Sequence, residues 1–101
     1  MSVTSELSED KQQLTINIRG RFDFSAHQDF RNAYQNFEQE KGRYVVDLNG
    51  TTYLDSSALG MLLLLRDHAG GERANVRLIN ASDDVLKTLH ISNFTKLFLM
   101  G

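Results

Sequence analysis

The sequence predicts an α/β fold: a single domain with a central mixed β-sheet, partly parallel, and helices packed on it. Three observations predict it. Leu14, Ile16 and Ile18 alternate with Thr15, Asn17 and Arg19, the period-2 pattern of a strand with one buried face. From there to the end of the chain, strand-like and helix-like runs alternate, and strand–helix–strand units need crossovers that lay helices on the sheet. At 101 residues, 41% hydrophobic and 24% charged, with no proline and no low-complexity tract, the chain has the size and composition of one globular domain over residues 1–101.

Each element follows from local signals. Residues 1–12 are polar and acidic, which fits either a polar N-terminal segment or a first edge strand. A strand over Leu14 to Ile18 ends at Gly20. Ser25 can cap a helix whose apolar positions Phe30, Ala33, Tyr34 and Phe37 fall at helical spacing, with Gly42 as its stop. Tyr44-Val45-Val46-Asp47-Leu48 is a nearly continuous apolar run ending at Asn49-Gly50, as expected of a strand covered on both faces. Tyr53-Leu54 leads into a leucine-rich helix that stops at Gly70-Gly71. Val76, Leu78 and Ile79 form a further strand, Ser82 caps a helix carrying Val85, Leu86 and Leu89, and Leu97 to Met100 supply a short edge strand or helix turn.

Composition removes several function classes. A net charge of -2 and a pI near 5.8 give no general attraction to phosphate backbones or anionic membranes, so neither nucleic acid nor membrane is an expected partner. The absence of cysteine excludes disulfides, thiol nucleophiles and cysteine metal sites, and three scattered histidines make a poor metal site. No cofactor and no metal are expected. The longest apolar run, Met61 to Leu65, is far too short to span a bilayer, and the N-terminus has no apolar leader segment, so a cytoplasmic protein is expected.

The informative segment is Asp55-Ser56-Ser57-Ala58-Leu59-Gly60, at the junction of a strand and the leucine-rich helix. Asp and Ser are good N-cap residues, because their oxygens accept from the free N–H groups of a starting helix. A hydroxyl there also sits at the positive end of the helix dipole, which favours a phosphate. The segment therefore reads either as a plain helix cap or as a phosphorylation switch. On a helical wheel Ala58, Met61, Leu62, Leu65 and Ala69 cluster as a core stripe, while Leu63 and Leu64 fall off it. Leu64 lies near Gly60 and Asp67 on the side that holds Ser57. Apolar residues beside a modifiable serine suggest a protein-docking surface, unless neighbouring helices cover them.

Gly20-Arg21-Phe22-Asp23 ending an early strand, then Val45-Val46-Asp47-Leu48, then Tyr53-Leu54-Asp55-Ser56-Ser57-Ala58-Leu59-Gly60, resembles the STAS domain of bacterial anti-sigma-factor antagonists over nearly the whole chain. The signature there is Asp-Ser-Ser-Gly-Leu-Gly, so Ala58 stands where glycine is usual. The resemblance implies a phosphoprotein of signal transduction and transcription regulation that works by partner switching. It implies that the second serine of the signature, Ser57, is phosphorylated, with Ser56 the alternative. It further implies an anti-sigma-factor serine kinase of the histidine-kinase-like ATPase type as the partner bound without phosphate, and a PP2C-like phosphatase that resets the switch. Asp23, Asp55, Ser56, Gly60, Leu63, Leu64 and Asp67 are the expected partner-binding residues. Asp23 can equally be a turn or cap residue, and Asp47 reads as structural.

Other members of that family are subunits of ABC-type lipid transporters, so a non-enzymatic subunit binding such an ATPase is the alternative. An enzyme is not expected. A Ser/His/Asp hydrolase built on Ser57 with His27 or His68 would need a strained G-x-S-x-G-type elbow, and a nucleotide-binding enzyme a glycine-rich phosphate loop; the sequence has neither motif.

Overall fold

The computed structural model describes residues 2–38 and 42–101. Its strands are β1 (Ser2–Leu7), β2 (Gln13–Phe22), β3 (Arg43–Leu54), β4 (Val76–Ile79) and β5 (Leu99–Met100). Its helices are α1 (His27–Tyr34), α2 (Ser56–His68) and α3 (Asp83–Ile91), with single 3-10 turns over 24–26, 71–73 and 94–96. The strands form one five-stranded sheet in the order β1-β2-β3-β4-β5. β1 runs antiparallel to β2, and the remaining neighbours are parallel, so the sheet is mixed.

Register explains the core. Ile16 pairs with Val46 and Val46 with Leu78, while Leu14 pairs with Tyr44 and Tyr44 with Val76. These positions share one face of the pleat. All of them are buried in a single cluster with Phe30 and Tyr34 of α1, Met61, Leu62 and Leu65 of α2, and Val85 and Leu89 of α3. The alternate positions, Thr15, Val45 and Arg77, then Asn17, Asp47 and Ile79, lie on the opposite face and stay half-buried or exposed. The molecule thus has two layers, and β3 is covered on one face only. The run Tyr44 to Leu48 reads as doubly covered because Val45 is apolar, but Val45 faces the open side of the sheet.

Four boundaries also differ from the sequence reading: β2 runs on through Gly20 to Phe22, β3 runs on through Asn49-Gly50 to Leu54, and both ends of α1 shift. Ser25 does not cap α1; Asp23 caps the 3-10 turn ahead of it, and the helix proper starts at His27 behind Ala26, which makes no side-chain cap. α1 stops at Tyr34 and not at Gly42, and the chain turns through a Phe37 N–H to Tyr34 carbonyl bond of 2.9 Å. That turn drops the Phe37 ring edge-on against Tyr44 at 5.2 Å, so Phe37 joins the core from outside the helix. The chain end is both a turn and a strand: 94–96 is a 3-10 turn and Leu99–Met100 pair with β4.

The C-terminal ends of β2 and β3 position the site. The ladder shifts register between Asn17 and Arg19 and again between Gly20 and Arg21, where Gly20 has φ +86°, a value that favours glycine. At the first shift the buried Thr51 hydroxyl donates to the Ile18 carbonyl at 2.9 Å and ties the strands together. Beyond the second shift Phe22 pairs with Leu54, so Asp23 and Asp55 leave the sheet side by side.

Candidate functional site

Asp55 is the N-cap of α2. Its backbone is extended, with φ −117°, and its Oδ1 accepts from the Ala58 N–H at 3.0 Å. The same oxygen accepts from the Ser57 hydroxyl at 2.6 Å, which leaves Ser57 half-buried with its proton engaged. Ser56 is the first residue of the helix. It is exposed, and its hydroxyl makes no hydrogen bond to any described residue. The two serines of one motif therefore have different states: one is tied into the cap, the other faces solvent at the positive end of the helix dipole.

Asp23 repeats the arrangement on the neighbouring strand. Ser25 donates both its N–H, at 3.0 Å, and its hydroxyl to Asp23 Oδ1. The segments Asp23-Phe24-Ser25 and Asp55-Ser56-Ser57 thus form adjacent Asp-x-Ser caps, with Phe24 in the place of Ser56. Phe24 is 69% exposed and stacks on His27 at 5.2 Å. The Asp55 carboxyl lies below the ordinary carboxylate range because the Ser57 hydroxyl and then the Ala58 N–H stabilise its anion, against a smaller effect of burial. Asp23 is lowered first by the Ser25 hydroxyl and N–H, while the nearby Asp55 charge acts in the opposite direction and Arg21 assists. Arg21 Nε stands 3.8 Å from Asp23 Oδ2, and its guanidinium lies 4.2 Å over the ring of Tyr53, its register partner.

Along α2 the helical spacing separates two faces. Ala58, Met61, Leu62 and Leu65 are buried, as the wheel predicts, whereas Gly60 and Asp67 are exposed and Leu63 and Leu64 are 38% and 53% exposed. Ser56, Gly60, Leu63 and Asp67 fall at i, i+4, i+7 and i+11, one continuous stripe, and Leu64 borders it. A Cβ built on Gly60 meets nothing within 4 Å, so packing inside this chain does not require a glycine there.

The structure brings Asp23, Asp55, Ser56 and Ser57 together at one end of the sheet and sets Gly60, Leu63, Leu64 and Asp67 along the helix leading from it. It takes the remaining candidates elsewhere. Asp47 lies on the open sheet face, where its Oδ1 accepts from the Asn49 N–H at 2.9 Å and from Asn80 Nδ2 at 3.1 Å. His68 Nε2 is 3.0 Å from the Phe37 carbonyl, at the far end of α2 from the serines. Neither His27 nor His68 hydrogen-bonds to Ser56 or Ser57. Among the described residues no group of three or more His, Cys, Asp or Glu could hold a metal ion. No helix among them is long and apolar enough to cross a membrane.

Residues 5–100 match a family model described as Mlab, STAS domain. The chain belongs to the STAS domain family. It is similar to a STAS-domain containing protein of Pseudomonas aeruginosa (strain UCBPP-PA14), 63% identical over 98 residues, covering 97% of each chain. Among solved structures, the STAS domain of an antisigma-factor antagonist from Rhodobacter sphaeroides superimposes with a TM-score of 0.62 at 28% identity, over 81% of this chain and 91% of that one. The Bacillus cell fate determinant SpoIIAA in its phosphorylated form superimposes with a TM-score of 0.71 at 16% identity, over 99% of this chain and 91% of that one; at that identity the likeness is one of fold. The STAS fold with a five-stranded mixed sheet agrees with the architecture read from the sequence.

Arg21, Phe24 and Tyr53, which border the site, were not among the expected site residues. The signal was present in the repeated Asp-x-Ser pattern, which marks Phe24 as the counterpart of Ser56. Arg21 and Tyr53 follow only from the strand register, which the sequence does not display.

Proposed function

We propose that this STAS domain is a phosphorylation-controlled partner-switching regulator, an anti-sigma-factor antagonist working in the cytoplasm, and that the phosphate acceptor is Ser57, with Ser56 the alternative. The observation that carries this reading is the half-buried Ser57 hydroxyl in the first turn of α2, donating to the carboxylate of the N-cap Asp55. A kinase must reach the hydroxyl and remove its proton. The Asp55 carboxylate that accepts the Ser57 hydrogen bond at 2.6 Å is placed to take that proton as the hydroxyl attacks, whereas the exposed Ser56 hydroxyl has no such base among the described residues. On Ser57 the added charge of about -1.5 to -2 sits in the first turn of a helix, where an anion is tolerated.

The mechanism acts on affinity. Without phosphate, the stripe of Ser56, Gly60, Leu63 and Asp67, with Leu64 beside it and Asp23 and Asp55 at its head, docks an anti-sigma-factor serine kinase of the histidine-kinase-like ATPase type. Phosphate at Ser57 adds charge beside the ionised Asp55 carboxylate, which is costly to desolvate in an interface and repels acidic groups of the partner. A PP2C-like phosphatase restores the binding form. The solved phosphorylated form of SpoIIAA, a fold neighbour, supports the chemistry.

The description of the matching family model as Mlab favours a second reading, a non-enzymatic subunit that binds the ATPase of an ABC-type lipid transporter. The retained pair Ser56 and Ser57 weighs for the switch. Co-purification from the native cell tests the two: a histidine-kinase-like ATPase bound by the wild type and lost with Ser57→Asp supports the switch, and an ABC ATPase retained by both supports the second reading.

A further inference from the structure

Beside the serine stripe, α1 and α2 enclose an open groove of about 580 Å³. Its apolar surface comes from Phe30 and Tyr34 on α1 and from Met61 and Leu64 on α2. Phe30 and Met61 are buried, whereas Leu64 stays 53% exposed on the wall. Both walls repeat at helical spacing: His27 and Arg31 at i and i+4 on one side, Met61, Leu64 and His68 at i, i+3 and i+7 on the other.

Two polar groups in this groove lack a partner. Tyr34 is only 6% exposed, yet its hydroxyl hydrogen-bonds to no described residue and is not sealed from the surface. Arg31, one turn earlier on the same helix, forms no ion pair with a described residue. The guanidinium is near enough to act electrostatically on the Tyr34 hydroxyl, in opposition to the effect of burial. A phenol and a guanidinium that both want an acceptor, above an apolar floor, match a carboxylate presented from an apolar surface. Among the described residues the one carboxylate in the lining, Glu38, lies past the end of α1.

We propose that the α1–α2 groove is a second docking site, which takes an acidic amphipathic helix of a protein partner. Its apolar ridge seats on Phe30, Met61 and Leu64, and an Asp or Glu on its flank receives hydrogen bonds from Arg31 and Tyr34. Two helical walls running together accept a helix by the same i, i+3/i+4, i+7 anchoring that helix-in-groove recognition uses. The groove shares Leu64 with the docking stripe beside the serines, but Arg31 and Tyr34 touch neither serine, so their variants report on the groove alone.

The test is a selection of 16-residue helical peptides from a displayed library on the full chain, followed by binding and NMR measurements on a selected peptide made synthetically. The expected consensus has Leu, Phe or Met at i, i+3/i+4 and i+7 with Asp or Glu alongside, and the peptide shifts the methyls of Met61 and Leu64 and the ring of Tyr34. Arg31→Glu weakens it about tenfold, the size of a lost charge-assisted bond. Tyr34→Phe weakens it about threefold to tenfold with the thermal midpoint unchanged, and Ser57→Asp leaves it as in the wild type. The proposal is overturned by a basic consensus or none, by shifts that avoid the groove, by equal affinity for Arg31→Glu, by the chain binding phosphatidylglycerol vesicles through this face, or by self-association that buries it.

Discussion

The Ser57 hydroxyl donates to the Asp55 carboxylate at 2.6 Å, and that one bond divides the labour of the two serines. It makes Ser57 part of the helix cap and leaves Ser56 as the free hydroxyl. Asp55→Ala removes the acceptor for both the Ala58 N–H and Ser57, and is expected to cost about 1 kcal/mol in a urea titration, the usual cost of losing an N-cap. Ser57→Ala should cost less than Asp55→Ala, because the Asp55 to Ala58 bond survives it.

The same bonds set a pH dependence. Asp55 and Asp23 both have folded pKa values below their ordinary ones, for the hydrogen-bonding reasons given above. A carboxyl depressed in the folded state contributes stability that is present above its unfolded pKa of about 3.9 and is lost as the pH falls through the folded value. The urea midpoint should therefore be flat down to about pH 5 and fall below about pH 4. Asp55→Asn should flatten part of that fall. An equal acid loss in Asp23→Asn, Asp55→Asn and the wild type would place the titrating groups elsewhere.

The fold was legible wherever the hydrophobic period was clean, and less so wherever neighbours decided the outcome. Leu14, Ile16 and Ile18 fixed β2 and its buried face, and the α2 stripe separated Leu62 and Leu65 from Leu63 and Leu64 as the structure does. The single coverage of β3 was not legible, because Val45 is apolar on the open face. The early end of α1 was not either, because Phe37 keeps helical spacing while packing from a turn. At the site, the motif located the serines and the resemblance singled out Ser57; the geometry adds that Ser57 is bonded to Asp55 while Ser56 faces solvent. Asp23 was brought to Asp55 by the Phe22 to Leu54 register across a doubly shifted ladder, which no local pattern encodes.

The two faces of α2 should separate in measurement. Leu62→Ala and Leu65→Ala delete fully buried side chains and are expected to cost about 2 to 5 kcal/mol of stability. Leu64→Ala, on an exposed position, should cost under about 1 kcal/mol and lose about 1 to 3 kcal/mol of partner affinity. Chemical denaturation and a titration with the co-purified partner check both quantities on each variant.

Gly60→Ala should act in opposite directions on stability and binding. An exposed helical glycine with nothing near its missing Cβ costs the fold about 0.5 to 1 kcal/mol relative to alanine, so the variant should be more stable by that amount. If the bare backbone is there for a partner to approach, affinity falls while stability rises. A variant that gains stability and binds as before would show that the partner does not cross α2 at this turn.

The account stands on the assignment of the switch to Ser57, and phosphopeptide mapping of the protein purified from its own cells, grown through exponential, stationary and stressed phases, tests it most directly. The account predicts a single phosphate on Ser57, absent from the fraction that co-purifies with the kinase-type partner. Phosphate on Ser56 alone, or none on either serine in every phase, would contradict it.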